Sequence, residues 1–329
     1  MSKPEYDALE ELLRRSEPRP IPASADIAAA KAAVRKDWQD VAGERRTQRR
    51  IRTVALAATV LAGLFAVFNA VRTPIVEIVQ VASIEKQLGD VYVLGEDGTL
   101  RELEDVTTIQ SGQMLVTASE AAIALAWGGG GSLRIDANTR IRFVSDVSAF
   151  LEDGRVYFDS RPGLAAGTDA GGSPNFLLET DRGTVRHVGT QYMVEADASG
   201  LVVSVREGEV EIKAGVYEER VSSGQQATLS GSRRPYVLSI DRFGERWGWI
   251  SRTTPARDVN GRTLHEFLTW VGRETGLEIR YEDGAEAIAK DEAELVGTVS
   301  SAPLDALPVR VATAALEYHI EEGVIYIRE

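Results

Sequence analysis

The sequence predicts a mainly β fold with α+β character: N-terminal helices, one transmembrane helix, a jelly-roll-like β-sandwich and a small C-terminal α/β domain. Three observations predict it. Thr53 to Val71 runs nineteen residues without a charge. From about Val81 to Val237 the apolar period is two, and after Trp247-Gly248-Trp249 helical spacing returns.

Residues 1–52 form the cytoplasmic segment of this reading. Tyr6, Leu9 and Leu13 share a helical face with Leu12 beside them, and Pro18, Pro20 and Pro22 then make an extended joint. A second helix is expected from Ser24, a good N-cap, with Asp26 in its first turn. Ile27, Ala30, Val34, Trp38 and Val41 give it one apolar stripe. Two such short helices are marginal alone. Either they dock on a cytosolic protein, helix in groove, through Leu9, Leu13, Val34 and Trp38, or they are a tether that only anchors the chain.

The uncharged run would span roughly 28 Å as a helix, close to the thickness of a bilayer's hydrocarbon core. Arg45, Arg46, Arg49, Arg50 and Arg52 stand directly before it, which places the N-terminus in the cytoplasm and the rest across the membrane. Because 52 residues precede the run and Asn69-Ala70-Val71-Arg72 is a poor cleavage site, it reads as a retained anchor. Residues 1–52 carry 12 Lys/Arg against 9 Asp/Glu, whereas residues 53–329 carry 25 against 41, giving −13 overall. So acidic an outer part argues against nucleic acid or anionic lipid as its partner. Cysteine is absent, which excludes disulfides and thiolate metal sites. Some 250 residues beyond the membrane exceed one typical core, and two domains are expected there.

Strands are expected at 89–94, 121–127, 132–135, 140–144, 155–158, 175–179, 183–187, 191–196, 201–206, 209–214 and 226–229. Turns at Glu96-Asp97-Gly98, Asp136-Ala137-Asn138, Glu152-Asp153-Gly154, Asp197–Gly200 and Glu207-Gly208 separate them. The stretch Arg161–Ser173, rich in Gly and Ala, reads as a mobile loop, and Gly128 to Gly131 as a long, floppy hairpin tip.

An ordered set of these pieces resembles the FecR family: Gly89-Asp90-Val91-Tyr92-Val93, Ser111-Gly112-Gln113, Leu151 to Phe158, Val188-Gly189-Thr190-Gln191-Tyr192, Val205 to Val210 and Ser223-Gly224-Gln225-Gln226. The resemblance covers about residues 80–235, within a domain reading of 80–237. It implies an inner-membrane sensor of Gram-negative bacteria that regulates an extracytoplasmic-function (ECF) sigma factor.

Thr263-Leu264-His265-Glu266 is a capping box, Leu264, Phe267, Leu268 and Val271 follow at helical spacing, and Gly276 stops the helix. Strands at 277–281 and 294–299, a helix from Leu304 to Leu316 and strands at 318–321 and 324–328 complete the chain. Pro308 should kink or shorten that helix. This order, over residues 255–329, resembles the small secretin and TonB-receptor N-terminal (STN) domain, which implies a contact with the signalling domain of a TonB-dependent outer-membrane receptor and, with it, regulation of iron transport.

Enzymatic signals are thin. There is no GxGxxG, P-loop or GxSxG. His187, His265 and His319 lie far apart without a second ligand at helical spacing, so neither a metal nor a cofactor is expected. One peptide bond stands out, Gly189–Thr190, because the resemblance implies that some relatives cleave themselves there. The Thr190 hydroxyl would attack the Gly189 carbonyl, leaving an ester that water hydrolyses, with His187 as candidate base by period two. Alternatively Gly189 is a bulge and Thr190 an ordinary strand residue.

The expected function is a membrane-spanning transducer that regulates an ECF sigma factor in response to an outer-membrane receptor. The rival expectation is an envelope scaffold that docks a secretin or a polysaccharide and has no sigma partner.

Overall fold

The computed structural model describes residues 10–11, 13–14, 23–35, 79–95, 98–103, 106–128, 130–160, 176–231, 234–292 and 294–329. The chain divides into one unit over 1–76 and another over 77–329. In the first, residues 10–11, 13–14 and 24–35 are helical. The uncharged run 53–71 and the Gly/Ala-rich stretch 161–175 lie outside the described residues. Among the described residues no helix is long and apolar enough to cross a membrane.

The second unit begins with fifteen strands in one continuous sheet that folds over itself. In chain order they are β1 (Gln80–Leu88), β2 (Val91–Leu94), β3 (Leu100–Glu102), β4 (Thr108–Gln110), β5 (Met114–Thr117), β6 (Ala122–Trp127), β7 (Ser132–Ile135) and β8 (Arg140–Ser145). The series continues with β9 (Ser148–Asp159), β10 (Leu177–Thr180), β11 (Gly183–Ala196), β12 (Leu201–Ala214), β13 (Tyr217–Ser222), β14 (Gln225–Leu229) and β15 (Tyr236–Ser239).

The fold turns on β9, β11 and β12, each of which changes neighbours midway. The first half of β9 pairs with β8 and β10, and its second half with β7 and β11. In β11 the first half pairs with β10 and the second with β9, while β12 pairs first with β14 and then with β13. Two layers result, joined through these three strands as sandwiches are at their corners. Gly154, Gly189 and Gly208 mark the three changes, with φ of 107°, 63° and 79°. Between the layers lies a core that includes Leu115, Ile123, Leu125, Leu133, Phe143, Leu151 and Phe158, all 0–1% exposed.

Two expectations need correcting here. Glu152-Asp153-Gly154 and Glu207-Gly208 carry hairpin chemistry in sequence, yet both lie inside continuous strands, where a positive-φ glycine bends the strand rather than ending it. The segments read separately as 183–187 and 191–196, and as 201–206 and 209–214, are therefore β11 and β12. The glycine tip of the β6–β7 hairpin is also packed where described. The Gly128 N–H donates to the Val81 carbonyl at 2.8 Å, and a Cβ on Gly131 would stand 2.8 Å from the Phe158 ring.

A linker with a short helix, α1 (Gly248–Arg252), leads to a C-terminal α/β lobe. It contains β16 (Arg257–Asp258), β17 (Arg262–Thr263), α2 (Leu264–Thr275), β18 (Glu278–Tyr281), a helical turn over 285–292, β19 (Glu294–Leu295), β20 (Thr298–Val299), α3 (Pro303–Thr313), β21 (Glu317–Glu321) and β22 (Val324–Arg328). Strand β22 is central, parallel to β18 and antiparallel to β21. The capping box is formed in both directions, with Thr263 Oγ1 accepting from the Glu266 N–H and the Thr263 N–H donating to Glu266. Gly276 ends α2 in the left-handed region. Helix α3 passes through Pro308 and stops at Thr313, three residues short of the expected end, with Ala315 at φ 55°.

Candidate functional site

Strand periodicity builds a platform on the outside of one layer. In β7 Leu133 and Ile135 face the core, so Ser132 and Arg134 face outward. Tyr157 and Asp159 do the same on β9, Gln191 and Met193 on β11, and Ser204 and Arg206 on β12. Register aligns them: Arg134 lies opposite Tyr157, Tyr157 opposite Met193, and Met193 opposite Ser204. None of these outward residues is more than 2% exposed. The linker and the C-terminal lobe cover them.

The contact is charged and buried. Arg134 ion-pairs with Glu274 near the end of α2, Nη1 to Oε2 at 2.7 Å and Nη2 to Oε1 at 3.1 Å. Its Nη1 also donates to the Ile250 carbonyl at 3.0 Å, and the Thr254 hydroxyl donates to Glu274 at 3.2 Å. Arg206 donates from Nη1 to the Glu274 main-chain carbonyl at 3.0 Å and from Nε to the Arg242 carbonyl at 2.9 Å. It thereby satisfies an orphan carbonyl of the last helical turn, where the macrodipole favours a cation. The Arg206 guanidinium also lies 4.4 Å from the centre of the Trp247 ring.

A second latch stands beside the first. Asp159 is ion-paired with Arg273 and accepts from Gln191 at 3.0 Å, while Arg273 reaches Glu207 at 3.0 Å. Tyr157, Met193, Trp247, Trp249 and Ile250 form an apolar cluster between the two latches, and the Trp249 indole N–H donates to Met193 Sδ at 3.4 Å.

Burial alone would raise the Glu274 carboxyl. The Arg134 charge and hydrogen bonds, with the Thr254 hydroxyl and the Arg206 charge, more than offset that and hold it below the ordinary carboxylate range. For Arg134 the loss of hydration is likewise outweighed by Glu274, and its pKa is raised. Burial lifts the Tyr157 phenol, which stays neutral. The chemistry is that of a paired, desolvated latch. It fixes the register of two bodies, and breaking either partner leaves a buried charge.

The residues singled out in sequence lie elsewhere. Leu13 and Val34 are on the N-terminal helical segments, 65% and 59% exposed, and Leu9 and Trp38 fall outside the described residues. His187 is buried, its Nε2 accepting from the Phe176 N–H at 3.3 Å and its ring 5.1 Å from Phe158. Gly189 and Thr190 form a bulge in β11 between Val188 and Gln191. That bulge interrupts the period-two relation on which pairing His187 with Gly189 rested. Among the described residues no three His, Asp or Glu side chains are grouped to hold a metal.

Sequence reading missed Arg134, Arg206 and Glu274, though traces were present. Arg134, between Leu133 and Ile135, stands where strand alternation ordinarily puts a solvent-facing charge, but Glu274 sits seven residues after Phe267, on the apolar face of α2. A charge inside such a stripe is rare unless paired.

The FecR protein family matches residues 113–211. That stretch holds β7, β9, β11 and Arg206 of the seam but not Glu274. Two crystal structures of a "putative anti-sigma factor" from Parabacteroides distasonis are similar at 17% and 16% identity, each with a TM-score of 0.34. The similarity covers 65% and 66% of this chain and 97% and 98% of those chains. No curated protein matches the sequence.

Proposed function

We propose that the chain is a single-pass inner-membrane signal transducer that regulates an ECF sigma factor in response to a TonB-dependent outer-membrane receptor. The FecR family match over residues 113–211 is the observation that carries the sigma-factor part. Support for the membrane placement, with the N-terminus in the cytoplasm and the rest in the periplasm, comes from the uncharged run 53–71 behind its five arginines. The C-terminal lobe, whose sequence over residues 255–329 resembles an STN domain, is the proposed receptor contact. Residues 1–52 are the proposed sigma contact, through Leu9, Leu13, Val34 and Trp38.

The physical logic is linkage. A receptor that favours one state of the C-terminal lobe shifts the sandwich as well, because the Arg134–Glu274 and Asp159–Arg273 latches join them. The direct test is capture of a sigma factor by residues 1–52.

The Gly189–Thr190 bond is proposed as a site of single-turnover self-cleavage. What supports it is Gly189 itself, whose left-handed φ of 63° and missing Cβ leave its carbonyl accessible. Purified protein held for days should resolve into two bands on a denaturing gel, and Thr190→Ala should remain one. An intact wild-type band, or a cleaved Thr190→Ala, contradicts the proposal. Both pieces would stay associated, because β11 pairs with β12 on both sides of the bulge.

A further inference from the structure

The Gly189–Thr190 bulge is held at both ends by strand pairing. Val188 lies opposite Glu209 and Gln191 opposite Glu207, so the two bulged residues face Gly208 alone. Gln191 is also the first residue after the bulge to pair on its other side, opposite Asp159 of β9. One row across three strands, Asp159–Gln191–Glu207, therefore fixes the chain immediately after the scissile bond.

A single residue of the C-terminal lobe grips that whole row. Arg273, in the last turn of α2, ion-pairs with Asp159 and with Glu207, the latter at 3.0 Å. Its main-chain carbonyl accepts from the Gln191 side-chain amide at 3.3 Å, and the same amide donates to Asp159 at 3.0 Å. Gln191 is only 2% exposed, so losing these partners leaves a buried amide that water does not readily satisfy.

Self-cleavage makes a demand that this row meets. A bond forms from Thr190 Oγ1 to the Gly189 carbonyl carbon, the C–N bond breaks, and the hydroxyl proton passes to the Thr190 nitrogen, which becomes a free amine. Water then hydrolyses the ester, giving the Gly189 carboxylate and restoring the hydroxyl. Such an attack is fast only from a held geometry, and a misplacement of about 1 Å can cost on the order of a hundredfold. Gly189, the residue with the freest backbone, does not supply that rigidity itself. The paired residues on either side must.

We infer that Arg273 is a positioning residue for cleavage at Gly189–Thr190, acting through Gln191, Asp159 and Glu207, so that the bond is cut at full rate only when the C-terminal lobe is docked on the sandwich. This rests on the self-cleavage proposed above and adds its control. The lobe is synthesised after the sandwich, and cleavage then follows its docking.

The test follows the full chain, pulse-labelled in cell-free synthesis, on denaturing gels over time. Arg273→Met removes both ion pairs and should slow cleavage by about tenfold or more. Gln191→Met, which removes the amide at similar size, should act in the same direction. Arg273→Lys keeps a cation for Asp159 and should recover most of the rate. Leu229→Ala truncates the sandwich core away from this row and should lower the urea midpoint without slowing cleavage. Positioning is overturned, with self-cleavage left standing, if Arg273→Met and Gln191→Met cleave at the wild-type rate. The same holds if Arg273→Lys stays as slow as Arg273→Met, or if Leu229→Ala slows cleavage equally. A wild-type chain that stays intact removes both the cleavage and its control.

Discussion

Glu274→Gln is expected to destabilise the protein by about 3–5 kcal/mol at neutral pH, because it leaves the Arg134 guanidinium buried without its counter-charge. Arg134→Met should cost a similar amount by stranding Glu274. The double variant Arg134→Met/Glu274→Gln should recover most of the loss, since it removes both charges at once. It leaves the Ile250 carbonyl with the Thr253 hydroxyl as donor, at 2.8 Å. Urea unfolding of the four proteins forms a double-mutant cycle, and a coupling of several kcal/mol is the expected result. Near-additive losses would mean that the pair is not a unit.

The same pair fixes the acid response. The folded pKa of Glu274 lies below its unfolded value, so its contribution is complete above that unfolded value, near 4.5. It is lost as pH falls through the folded pKa. Stability should therefore decline on acidification below about pH 4.5, and that limb should be shallower in Glu274→Gln. An unchanged acid limb would assign the decline to other carboxylates.

Gly276→Ala carries the second large effect. Gly276 has φ 80°, and a Cβ there would stand 2.0 Å from the Arg242 carbonyl oxygen and 3.1 Å from Arg206 Nε. That carbonyl accepts the Arg206 Nε–H, so backbone and latch would both have to move. The left-handed conformation alone costs a side chain roughly 1–2 kcal/mol, and the clash adds to it, for a total of about 3 kcal/mol or more. Gly215→Ala is the matched control, with φ 59° and open space around the added Cβ. A clearly larger loss in Gly276→Ala, read from urea midpoints, isolates the clash. Equal losses would show that the linker gives way freely.

Much of the C-terminal lobe is legible in sequence because its signals are local. The Thr263–Glu266 box, the stripe from Leu264 to Val271 and Gly276 all act within a few residues of one another. The sandwich is legible as strands but not as connections, because a glycine flanked by acids reads as a hairpin turn whether it ends a strand or bends one. Gly154 and Gly208 do the second, and only the pairing of β9 and β12 with different neighbours distinguishes the cases. The seam was hidden for another reason. Arg134 and Glu274 are 140 residues apart, and nothing local to either names the other. What the sequence does show is that Glu274, set in the apolar stripe of α2, does not belong where it sits unless something pairs with it.

The most direct measurement of the proposed function is capture of a sigma factor from lysate by tagged residues 1–52 expressed in the cytosol. The proposal predicts one specific ECF sigma factor, retained by the wild-type segment and lost on Trp38→Ala. Soluble, intact bait that captures no sigma factor would contradict it and favour a scaffold anchored by those residues.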